Sequence, residues 1–88
     1  MTVSEQFDVR VAALRTARDE FRLQAHLFAA DLKQDWAAVE ARLEVIEYEL
    51  SRFAKQAVGP MKTVEKAAHD LLEEGEAAIA RVRERNAT

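Results

Sequence analysis

Cysteine is absent from this 88-residue chain, glycine occurs twice and proline once. Without cysteine there is no disulfide scaffold, no thiolate zinc site and no cysteine nucleophile. So few glycines and prolines exclude an all-β fold, which needs turn residues every ten or so positions. No apolar run approaches the ~18 residues of a membrane span, and the opening MTVSEQFDV has neither the basic nor the apolar region of a secretory leader. A cytoplasmic helical protein is the expectation. Charge of one sign is also missing as a block: the net charge of −3 is spread evenly along the chain. Nucleic-acid binders concentrate positive charge, so no nucleic-acid partner is expected.

What is present is helix former. Hydrophobic residues make up 49% of the chain, too many for disorder, and Ala, Leu, Glu and Arg dominate the composition. Thr2 with Glu5 fits a capping box, and Ser4 is a rival cap. From there no glycine or proline intervenes before Gly59-Pro60, so the pattern predicts one helix over about 3–58, roughly 80 Å long. Its apolar stripe steps in fours and threes through Phe7, Val11, Leu14, Arg18, Phe21, Ala25, Phe28 and Leu32. After a second four-step to Trp36 it continues through Val39, Leu43, Ile46, Leu50, Phe53 and Ala57. The consecutive four-steps at Phe28, Leu32 and Trp36 read as a stutter, and Trp36 as the core side chain that fills it. Arg18 is the charged intruder.

Gly59-Pro60 combines a left-handed helix end with a preorganised helix start, and predicts a tight αα-hairpin. A second helix over about 60–85 carries Met61, Val64, Ala68, Leu71, Gly75, Ala78 and Val82 on one face. The whole chain, 1–88, then forms a single domain. The shorter helix covers only half of the longer one, leaving Phe7, Val11, Leu14, Phe21 and Phe28 exposed in a monomer. Leu23, Leu27, Ala30, Ala37, Ala41, Val45 and Tyr48 fall on the opposite side, so the long helix is apolar on two faces. The expected fold is an all-α antiparallel hairpin that self-associates into a dimeric or higher coiled-coil-like bundle. Its interface would comprise Phe7, Val11, Leu14, Phe21, Phe28, Leu32, Trp36, Val39, Leu43, Ile46, Leu50 and Phe53.

Chemistry is sparse. His69 has Glu65 and Glu73 four residues to either side, but di-iron bundles use Glu-x-x-His on two helices, so no metal is expected. His26 has no acid at helical spacing. Glu40, Glu44 and Glu47 line one helical edge and would repel unless cations face them. Arg15, Arg18 and Arg22 recur on one face and are the candidate anion contact, partly neutralised by Asp19 and Glu20. No phosphate loop, nucleophile elbow, calcium loop or dinucleotide fingerprint is present. Neither catalytic residues nor a cofactor are expected. The sequence reads as a non-enzymatic assembly, scaffold or adaptor module whose partner is a second copy or another helical protein. The alternative is an amphipathic coat on a lipid or polymer granule, of the phasin type. Its slightly acidic polar face is unlike the Lys/Arg-rich faces typical of lipid-bound helices.

Overall fold

The computed structural model describes residues 3–55 and 61–87, with side chains from 6 to 53 and from 65 to 87. Three α-helices follow in order: α1 (Val3–Gln24), α2 (Ala30–Lys55) and α3 (Met61–Ala87). A single 3₁₀ turn, Ala25–Leu27, joins the first two. No strand is present among the described residues. Thr2 and the Gly59-Pro60 hinge, with its predicted turn, lie outside them.

The expected 55-residue helix is therefore not continuous: it breaks at Ala25–Ala29, and three helices replace two. At the break the Phe28 amide donates to the Ala25 carbonyl over 3.1 Å, and Phe28 turns extended at φ −74°, ψ 150°. The chain reverses there. The reason is burial. Folding α1 back brings the Phe21 ring within 6.2 Å of Phe28 and 5.6 Å of Trp36, centroid to centroid. Both tilted pairs have the geometry aromatic rings prefer.

Ion pairs give the helix directions. Arg22 reaches Glu40 while Arg18 reaches Glu47, so α1 and α2 are antiparallel. Arg42 reaches Glu74 and Arg85 reaches Asp31 and Asp35, so α2 and α3 are antiparallel as well. Arg10 pairs with Glu76 and Arg83 lies over Phe21, which makes α1 and α3 parallel. The three helices form an up-down-up bundle with extents of 44 × 24 × 17 Å.

Each residue of the predicted interface stripe lies in or against one core. Leu14, Phe21, Phe28, Leu32, Trp36, Leu43, Ile46 and Leu50 are buried, and Phe7, Val11, Val39 and Phe53 pack against them half-buried. The chain itself thus covers the stripe that was expected to need a partner. Leu43, Ile46 and Leu72 are the largest fully enclosed side chains, and all three belong to α2 and α3. Gly75 lets α1 approach α3: a Cβ there would lie 2.9 Å from Leu14 Cδ2 and 3.4 Å from Leu43 Cδ2. These distances supply the packing reason for a glycine inside α3, where it costs about 1 kcal/mol of helix propensity.

Replacing Leu43 or Ile46 with alanine is expected to cost roughly 2–5 kcal/mol in urea denaturation, because each leaves a cavity in a closed core. A loss below about 0.5 kcal/mol, the size of a surface change, would refute the core assignment. Gly75→Leu is expected to cost about 1–3 kcal/mol by overpacking against Leu14, despite leucine's better helix propensity. An unchanged denaturation midpoint would show that α1 does not press on α3 at this point.

Candidate functional site

Two charge features that look unrelated along the sequence face each other in the fold. Folding α1 back lays Arg15, Arg18 and Arg22 against the acidic edge of α2. Arg18, occupying a stripe position on α1, has its side chain only 19% exposed and donates through Nη1 to Glu47 Oε2. Glu47 is 8% exposed, the one buried charged residue among the described residues. Arg15 Nε approaches its other oxygen at 3.2 Å. Both carboxylate oxygens of Glu47 are thereby occupied, as burial of a charge requires. Arg22 spans Glu40 at 2.6 Å and Glu44 at 3.4 Å.

The candidate anion contact, Arg15–Arg18–Arg22, is therefore engaged with this chain's own carboxylates. The repulsion expected along Glu40–Glu44–Glu47 is relieved by cations from α1. Helical spacing within either segment cannot reveal this pairing, since its partners lie 18 to 32 residues apart across the reversal. Arg18 also bridges its neighbour Asp19 at 3.0 Å.

Similar pairs tie the remaining helices together. Arg10 grips Glu76 with both Nε and Nη2, at 3.1 and 2.5 Å. Arg42 engages Glu74 through two donors, and this hydrogen bonding holds the Glu74 carboxyl below the usual carboxylate range. Because that pKa is lowered on folding, the pair's small contribution is present at neutral pH and fades as pH falls through the carboxylate range. The same kind of bond, to Glu40, raises the Arg22 guanidinium above its ordinary value.

The groove between α1 and α3 encloses about 180 Å³, below the ~300 Å³ at which ligand pockets begin. Arg10 and Glu76 on its wall satisfy each other, and Arg83 sits with its guanidinium 5.7 Å from the Phe21 centroid. His69 Nε2 lies 3.2 Å from Glu73 Oε1 on the surface of α3. Among the described residues no group of three or more His, Cys, Asp or Glu side chains could hold a metal ion. His26 Nδ1 is 2.9 Å from the Leu23 carbonyl and, as its N–H donor, caps one of the unpaired carbonyls that end α1.

Apolar surface remains on the outside. Val45 and Tyr48 are 47% and 63% exposed, and Ala37 and Ala41 continue the same face of α2, opposite Leu43 and Ile46. Arg52 lies over the Tyr48 ring, 5.9 Å from its centroid. Leu23, near the end of α1, and Leu27, in the 3₁₀ turn that follows, are each 75% exposed. No described helix is long and apolar enough to cross a membrane.

Comparison with family models, curated proteins and solved structures finds no match to this chain.

The Arg18–Glu47 pair gives a double-mutant test. Arg18→Leu alone is expected to cost about 1–3 kcal/mol, somewhat less than a wholly buried pair because Arg15 still faces Glu47. The double variant Arg18→Leu/Glu47→Leu should regain most of that loss, since paired removal leaves no stranded charge. Additive losses in chemical denaturation would show that the two side chains do not interact.

Proposed function

We propose that this chain is a non-enzymatic helical module that assembles with other helices, a second copy first among them, and serves as a scaffold or adaptor component. One observation carries the reading. The outer face of α2 presents Ala37, Ala41, Val45 and Tyr48 to solvent while its inner face is filled by the chain's own core. A helix apolar on two faces has room for a second neighbour.

That face is complementary to itself. In an antiparallel pairing about a two-fold axis at Ala41, Ala37 falls opposite Val45 and Gln34 opposite Tyr48. Small residues then meet large ones, and an amide meets a hydroxyl. Closed two-fold dimers require such self-matching. Tyrosine and arginine, here stacked as Tyr48 and Arg52, are the residue types enriched in interface cores.

Sedimentation equilibrium tests the reading. The wild-type chain is expected to sediment at twice its 10.0 kDa mass at about 50 μM, and Val45→Glu/Tyr48→Glu to sediment as a folded monomer. A wild-type monomer throughout that range would overturn the reading. Co-flotation with liposomes would overturn it in favour of the granule-coat alternative.

A further inference from the structure

The reversal between α1 and α2 contains no residue that demands it. Ala25, His26, Leu27, Phe28 and Ala29 are all compatible with helix, and neither glycine nor proline is among them. α1 ends without a left-handed glycine. Ala29 stands at the N-cap of α2, its carbonyl accepting the Lys33 amide, although alanine is a poor N-cap. The apolar pattern also runs through the break without losing phase, from Phe21 and Ala25 to Phe28 and Leu32. Local preference thus favours one continuous helix. The turn is held by what it brings together: the Phe21–Phe28–Trp36 cluster, Leu14 against Gly75, and the arginines of α1 against Glu40, Glu47 and Glu76.

We propose that α1 is an exchangeable segment that also seats on a second copy of this chain. With the hinge opened, α1 and α2 join into one helix over residues 3–55, about 80 Å long. The face bearing Leu14, Phe21 and Arg18 then lies on α2 and α3 of the partner, and the partner's α1 returns the contact. The core contacts and ion pairs that α1 makes with α2 and α3 are re-formed between chains, as domain swapping requires, while those between α2 and α3 stay within each chain. Arg10–Glu76 and Arg18–Glu47 become intersubunit pairs, and the two long helices run antiparallel. Closed and exchanged forms differ chiefly at Ala25–Ala29, where the exchanged form regains helical hydrogen bonds. Mass action decides between them. The short connection gives the closed form an effective concentration in the millimolar range, so exchange is favoured when folding occurs in concentrated protein. This deepens the assembly reading and rests on it, while using a surface other than the outer face of α2.

The hinge offers a selective lock. Ala30 is the first residue of α2, where proline is well tolerated, whereas proline at the same position inside a continuous helix removes a hydrogen bond and clashes. The readout is an intrachain distance. Arg15 and Arg18 both reach Glu47, so Thr16 and Glu49 stand at neighbouring levels of the closed bundle. Thr16→Cys/Glu49→Cys chains carrying spin labels, diluted into excess unlabelled protein, are refolded at about 1 mM and separated by size. The dimer fraction is expected to show an intrachain distance of about 50 Å, against less than about 25 Å in the monomer. Ala30→Pro is expected to lower the dimer fraction roughly 100-fold or more. Dimers with only the short distance would overturn the exchange and leave assembly through α2 standing. Finding no dimer under any condition would overturn both. If Ala30→Pro fails to fold, the wild-type distance decides alone.

Discussion

Among the described residues Phe21, Phe28 and Trp36 are the buried aromatic side chains, and hydration of three such groups costs several kcal/mol. They cannot all be covered by α3 while α1 continues straight on from α2. Reversing the chain at Ala25–Ala29 sacrifices about one turn of helical hydrogen bonds and places all three rings in one cluster. Leu14 follows them in, Gly75 makes room for it, and Arg10 comes within reach of Glu76. The position of α1, and with it the three-helix architecture, depends on this burial outweighing local helix preference.

Charge then sets the register. An apolar interface tolerates sliding, because one methyl-lined surface resembles the next. Glu47 does not, since its carboxylate is buried and strands unless Arg18 and Arg15 arrive together. A slip of one helical turn, about 5.4 Å, would separate them. Between α2 and α3 the burial is apolar at Leu43, Ile46 and Leu72, while Arg42–Glu74 and Arg85 with Asp31 and Asp35 stay at the rim.

Much of the core was legible because it obeys a local rule. Spacings of three and four placed Leu43, Ile46 and Leu50 on the buried side of α2, and Ala68, Ala78 and Val82 on that of α3. The break was not legible, because the strong stop and start signals are glycine, proline and an N-capping side chain, and Ala25–Ala29 offers only His26, a weak C-terminal signal. The four-four steps at Phe28, Leu32 and Trp36, read as a stutter, fall just after it, with Leu32 and Trp36 already inside α2. For the same reason the Arg15–Arg18–Arg22 row looked like a free anion contact: its carboxylate partners become neighbours only after a reversal that no local signal announces. The outer apolar face of α2 was visible, through Ala37, Ala41, Val45 and Tyr48, as the second side of a long helix.

An odd number of antiparallel helices has a further mechanical result. Because α1 and α3 run parallel, with Arg10 level with Glu76 and Phe21 level with Arg83, Val3 and Ala87 lie toward opposite ends of the 44 Å bundle. Their axial separation is roughly 30 Å. In most domains the two termini lie close together. Here anything joined before α1 and anything joined after α3 would be held apart along one axis, and a pull between them would shear α1 along α3 rather than peel it away. Shear loads every contact of that interface at once, from Arg10–Glu76 to Arg83 on Phe21.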